Sequence, residues 1–188
     1  MSYCKNMGTL REVVAELRTA GAQEYVDRNP FSVLVDQGDP APDDGWDDDA
    51  TNVVSAATIT RALDELRRGA LPLPPSRQLA PDSAVFVLRK RPGGSFPDQI
   101  GVGRSRGCDV VLPFASVSKY HASFSQDADG AWSVMDAGST NGTFFGSERL
   151  ATREPAVILD GAIVQFGYRA FQFFTAQGLV EWAAFLRV

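Results

Sequence analysis

The stretch GRSRGCDVVLPFASVSKYHASFS, residues 103–125, gathers Arg104, Ser118, Lys119 and His121 in a chain whose formal charge is −5. An arginine presents a planar fork that matches two phosphate oxygens, a lysine adds a point charge, and a serine hydroxyl gives one directional hydrogen bond. Brought to a common point, Arg104, Ser118 and Lys119 make a receptor for a phosphate. His121 is the chain's single histidine. No nucleophile elbow or metal-ligand spacing accompanies it, so its expected role is structural, with no catalytic residue and no metal site. Gly101 to Gly107, GVGRSRG, has the look of a dinucleotide loop. Such a loop must open a helix, whereas the following CDVVLP is strand-like and ends in proline, so no cofactor is expected.

Convergence of these residues has to come from the fold. Arg104 closes one apolar run, and Ser118, Lys119 and His121 occupy a turn before the next; loops at one end of a β-sandwich can meet. After Ser83 the chain is a series of short runs rich in β-branched and aromatic residues: AVFVLRK, QIGVG, DVVL, HASFSQ, WSVMD, TFF, AVIL, AIVQFG and RAFQFF. Turn signals such as PGGS, DADG, STNG and LDG divide them. Many short strands at this spacing predict a mainly β, antiparallel sandwich or barrel over residues 83–176.

The flanking segments read differently. Thr9-x-x-Glu12 is a capping box at the head of an amphipathic helix over 9–28, broken at Gly21 and stopped before Asn29-Pro30. With the apolar run FSVLV it defines an N-terminal helical region, 1–35. Asp36 to Asp49 holds seven aspartates and no basic residue, which makes 36–54 a self-repelling, disordered acidic linker. A second helix and a proline-rich connector fill 55–82. GLVEWAAFLRV suits a C-terminal helix over 177–188.

With these pieces in order, the chain resembles a forkhead-associated (FHA) domain protein. The resemblance rests on Gly103-Arg104, on DVVLP at 109–113, on Ser118-x-x-His121, on GSTNGTF at 138–144 and on LDGAIVQFG at 159–167. It covers about half of the chain and implies an FHA-like sandwich of about 11 strands that binds phosphothreonine peptides. It further implies that Arg104, Ser118, Lys119 and Thr140 bind the phosphate and Asn141 the peptide backbone. Gly103, His121 and Gly142 are implied as structural residues. Cys108 stands where the family usually has asparagine, a change expected to loosen a loop. Gly146-Ser147 replaces the usual Asn-Gly turn, and a glycine there suits a type II′ hairpin.

The acidic composition excludes wholesale nucleic-acid binding, which needs a basic footprint. No segment approaches the ~20 apolar residues that span a bilayer, and the two cysteines, Cys4 and Cys108, form no disulfide or zinc pattern. The expected protein is cytoplasmic and non-enzymatic: a phosphothreonine-peptide-binding adaptor in Ser/Thr kinase signalling, whose partner is a kinase or its substrate. The alternative is an interaction or oligomerisation module that uses the scaffold without phosphate. Thr51, beside the acidic run, is a candidate phosphosite through which the protein would associate with itself; the N-terminal helices are the other candidate surface. The plain alternative is an ordinary linker threonine.

Overall fold

Alternation of apolar and polar residues after Ser83 sorts the chain into two sheets in the computed structural model, which describes residues 8–38, 79–93 and 96–185. The elements in chain order are β1 (Gly8–Thr9), α1 (Leu10–Ala20), α2 (Ala22–Arg28), β2 (Ser32–Gly38), β3 (Ala84–Leu88), β4 (Ile100–Gly103), β5 (Val110–Val111) and β6 (Ala122–Gln126). There follow β7 (Trp132–Asp136), β8 (Thr143–Phe145), β9 (Glu148–Arg149), β10 (Pro155–Ile158), β11 (Ile163–Phe166), β12 (Arg169–Phe174) and α3 (Ala176–Phe185). A seven-stranded sheet has the order β1-β3-β2-β12-β11-β8-β9, and a five-stranded sheet the order β10-β7-β6-β4-β5. All pairings are antiparallel except β4 with β5. The protein is mainly β, a two-sheet fold with helices at both ends.

The sheets enclose a core of Leu34, Phe86, Val102, Leu112, Phe124, Val164, Phe171 and Phe173 among others. Phe171 is fully buried and its ring lies 5.9 Å from Phe86, 5.8 Å from Phe114 and 5.6 Å from Phe166. A second core forms on the outer face of the seven-stranded sheet. There Leu10, Val13, Tyr25, Leu179 and Val180 from the helices cover Val33, Val35, Val85 and Phe174 from the strands. Thr9 donates its backbone N–H to Glu12 Oε2 at 2.9 Å, as the capping box requires, and Gly21 divides α1 from α2. Gly146, at φ 58, opens the β8–β9 hairpin; since Arg153 is the only non-glycine residue at positive φ among those described, the turn is of type II′.

The N-terminal region differs from its sequence reading. β1 and β2 belong to the seven-stranded sheet, and β2 lies between β3 and β12 instead of closing a separate helical unit over 1–35. Strand β2 also runs through Asp36–Gly38, which composition assigns to the acidic linker. The reason is pairing with distant partners: Arg169 on β12 donates from Nε to Asp36 Oδ1 at 2.7 Å, so that carboxylate is neutralised inside the sheet. A strand buried on both faces shows no alternation to betray it. The rest of the linker, the helix expected within 55–82 and most of the connector lie outside the described residues. Leu79 packs on the second core, and the carbonyls of Pro81 and Ser83 accept hydrogen bonds from Arg11 and Leu10 at 2.8 and 2.9 Å.

Removing Phe171 empties the centre of the inter-sheet layer. Phe171→Ala is expected to destabilise the protein by about 3–5 kcal/mol, read as a lower urea midpoint; an unchanged midpoint would show that the layer is not what holds the sheets together.

Candidate functional site

Strand β4 ends at Gly103, and the turn after it is tied to the loop preceding β6. The N–H groups of Arg104 and Ser105 donate to the carbonyls of Ser118 and Lys119, each at 2.9 Å, and Arg104 Nε donates to the Val117 carbonyl at 3.2 Å. A Cβ at position 103 would stand 2.5 Å from the Lys119 carbonyl oxygen, so only glycine lets the two backbones come this close. The loop itself is anchored in the core by Leu112 and Val117, both buried. Ser118 and Lys119 therefore hang over a fixed base.

The turn between β7 and β8 approaches from the other side. Ser118 Oγ accepts a hydrogen bond from the Thr140 N–H at 3.0 Å and lies 3.4 Å from Thr140 Oγ1. Asn141 Nδ2 donates to the Ser116 carbonyl at 2.8 Å. Two hydroxyls and a guanidinium thus sit on loops separated by many residues and joined by direct bonds. Arg104, Lys119 and Thr140 are exposed, and neither cation has a carboxylate partner among the described residues. The site has positive charge that nothing inside the described protein neutralises.

His121 joins the two loops. Its Nδ1 accepts the Ser118 N–H at 2.9 Å, which leaves the proton on Nε2, and Nε2 donates to the Gly142 carbonyl at 3.0 Å. The ring is completely buried and meets Phe166 edge-on at 5.3 Å. Burial pushes the imidazole below its usual 6.5, against the opposing pull of the Gly142 bond and the charge of Asp136. Gly142, whose carbonyl accepts that bond, holds φ 85, a left-handed conformation that favours glycine.

Two carboxylates to which the sequence reading gave no role set the loops. Asp136 accepts from the N–H groups of Gly138 and Ser139 at 2.8 and 3.0 Å, and from Ser139 Oγ and Thr143 Oγ1 at 2.6 and 2.7 Å. Burial raises its pKa, but the hydrogen bonds from Ser139 and Thr143 win and hold the carboxyl below its usual range. An aspartate two residues before a glycine, within DAGSTNGT, is the sequence signal for such a side-chain turn. Asp109, whose side chain is 7% exposed, fixes the other loop. It accepts from Lys90 Nζ at 2.8 Å and from the N–H groups of Arg91 and Gly101 at 2.9 and 2.8 Å. Nothing local marks that role, since its partners come from β4 and from the residues after β3. Cys108 is buried and its thiol donates to the Lys119 carbonyl at 3.1 Å, so in this fold the cysteine fastens the loop it was expected to loosen. Thr51 lies outside the described residues.

Loops of the two-sheet fold thus gather hydroxyls and cations without carboxylate partners among the described residues at one end. Residues 100–167 match the family model of the FHA domain. It is 33% identical, over 101 residues, to the protein phosphatase 1 regulatory inhibitor subunit PPP1R8 homolog of Arabidopsis thaliana, an alignment covering 50% of this chain and 27% of that protein. It is 34% identical, over 102 residues, to the glycogen accumulation regulator GarA of Mycobacterium tuberculosis, covering 52% of this chain and 60% of the relative. The matched part is thus well short of the full length of either relative. Among solved structures, that of the FHA domain of an Arabidopsis thaliana hypothetical protein aligns with 78% of this chain and 86% of its own, at 21% identity and a TM-score of 0.45. No described helix is long and apolar enough to cross a membrane.

The buried imidazole makes a pH prediction. A base whose folded pKa lies below its unfolded value keeps its contribution above pH 6.5 and loses it as pH falls toward the folded pKa. Urea unfolding at pH 7.5 and 5.5 is expected to show a larger drop in stability for the wild type than for His121→Gln. Equal drops would mean that the imidazole is not held neutral by its surroundings.

Proposed function

We propose that the protein is a non-enzymatic adaptor that binds phosphothreonine-containing partners in Ser/Thr kinase signalling, in the cytoplasm. The observation that carries this reading is the Ser118–Thr140 contact beside Arg104 and Lys119, two exposed cations without a carboxylate partner among the described residues. In this reading the Arg104 fork and the Lys119 ammonium take the phosphate charge, and the hydroxyls of Ser118 and Thr140 complete its shell. Asn141 binds the peptide backbone, while Gly103, His121 and Gly142 hold the loops. A phosphate of charge −1.5 to −2 supplies what an unmodified threonine lacks. One buried methyl, at about 0.8 kcal/mol, gives only about a fourfold preference for phosphothreonine over phosphoserine; a larger preference comes from threonine's stiffer χ1. The sequence likeness to a protein named a regulator supports a regulatory role over a catalytic one.

Arg104→Ala is expected to weaken phosphopeptide binding about ten- to hundredfold, the value of one or more charge-assisted hydrogen bonds, with the unfolding midpoint nearly unchanged. Fluorescence anisotropy with phosphorylated and unphosphorylated forms of one peptide library checks it. Equal binding of both forms would sink the phosphopeptide reading and favour a module that works through another face.

Thr51 enters the same reading as an internal ligand. The chain leaves β2 at Gly38, opposite Ala170, close behind the β11–β12 turn whose Gly167 N–H donates to Gly142 at 2.9 Å. Gly38, the last described residue before Thr51, therefore lies at the end of the sandwich that carries the proposed site. Phosphorylation by a Ser/Thr kinase is expected to block an outside phosphopeptide in the wild type and not in Thr51→Ala. Identical binding by the two phosphorylated proteins would remove Thr51 from the account.

A further inference from the structure

We propose that Arg149 is a specificity-determining residue of the ligand site, selecting phosphothreonine peptides that carry a second anionic side chain next to the phosphothreonine. The inference rests on the phosphopeptide reading above and adds a ligand class to it. Strand β9 pairs with β8 so that Arg149 lies opposite Phe144, and the Leu150 N–H donates to the Thr143 carbonyl at 2.8 Å. The strand therefore advances toward the Thr140–Gly142 turn. The arginine side chain crosses that turn at the residue following Asn141: a Cβ on Gly142 would stand 2.7 Å from Arg149 Nε and 3.1 Å from its Cζ.

Two further features make this guanidinium a reader of charge. Its Cζ lies 6.0 Å from the centre of the Phe144 ring, a cation–π contact that limits where the group can swing. Among the described residues it has no carboxylate partner, although the chain as a whole is acidic. Arg104 approaches the site from the Ser118 side of the turn, tied to Val117 and Ser118, while Arg149 approaches from the Gly142 end. The two cations do not share one loop. A peptide held through its phosphate near Arg104 and through its backbone at Asn141 would present a neighbouring side chain to Arg149. An exposed ion pair contributes little, so Arg149 grades ligands without deciding whether a phosphothreonine binds at all.

Either a carboxylate or a second phosphate supplies the required charge, and the test separates them. The full chain and its Arg149→Gln variant are titrated with phosphothreonine peptides in an alanine background, in which each flanking position in turn carries alanine, aspartate or phosphoserine. At one or more flanking positions the wild type is expected to bind the aspartate or phosphoserine peptide about three- to fivefold tighter than the alanine peptide, as one exposed ion pair allows. Arg149→Gln is expected to lose that preference, read as the ratio of acidic-peptide to all-alanine-peptide affinity within each protein, so that a change common to all phosphopeptides does not enter. Aspartate as the better residue identifies an acidic motif; phosphoserine as the better residue identifies a doubly phosphorylated one. The same acidic preference in Arg149→Gln, or none at any position in the wild type, overturns the proposal. If the wild type fails to distinguish phosphorylated from unphosphorylated peptides, the phosphopeptide reading itself falls and this one with it.

Discussion

The imidazole of His121 takes the Ser118 N–H on one nitrogen and gives its proton to the Gly142 carbonyl on the other. Ser118 belongs to the loop entering β6, and Gly142 to the turn by which the chain passes from the five-stranded sheet to the seven-stranded one. One planar group of fixed width thus sets the separation of two loops that share no ladder. Only the neutral ring does this, because a protonated imidazole donates from both nitrogens and cannot accept from Ser118. Complete burial against Phe166 keeps the neutral form favoured, so the hydrophobic core indirectly sets the spacing of surface hydroxyls.

Charge in the described part of the molecule divides into two groups with different uses. Lys90 and Arg169 are bound to Asp109 and Asp36, half-buried pairs that fix a loop and a strand register. Arg104, Lys119 and Arg149 are exposed and have no such partners among the described residues. Buried carboxylates need satisfied hydrogen bonds to be tolerated, and Asp136 and Asp109 meet this with four and three of them. Each carboxylate acts as a knot for backbone N–H groups that a tight turn would otherwise leave unpaired. A net charge of −5 is therefore compatible with a cationic site, since negative charge within the fold is consumed in holding loops.

What the sequence made legible was the periodic and the local. Strands of the sandwich announced themselves by short β-branched runs between turn signals, α1 by its capping box, and the hairpin at Gly146 by a residue free to adopt positive φ. Arg104 and Ser118 were readable as a pair only through the order of several motifs, and the contact between their loops lies at the level of tertiary structure. Strand β2 was misallocated because Val33 and Val35 face the helices while Leu34 faces the sheet interior. With both faces covered, the run carried no alternation. Asp36 looked like the first member of an acidic tract, and its partner Arg169 is far away in the chain. Asp109 was hidden for the same reason: its three donors come from elements that adjoin it only after folding.

The hydroxyls and cations of the site differ in how they stand without a ligand, and this bears on selectivity. Ser118 Oγ and Thr140 are bonded to each other, so the hydroxyl pair is satisfied and pre-positioned before anything arrives. Exposed guanidinium and ammonium groups are satisfied by water. A neutral ligand would have to displace that hydration and break the hydroxyl contact with only neutral hydrogen bonds to offset the loss. A dianion replaces both at once, since its oxygens accept from the hydroxyls while its charge meets the cations. In the proposed reading, discrimination between modified and unmodified threonine then follows from the resting state of the site as much as from the contacts made when it is filled.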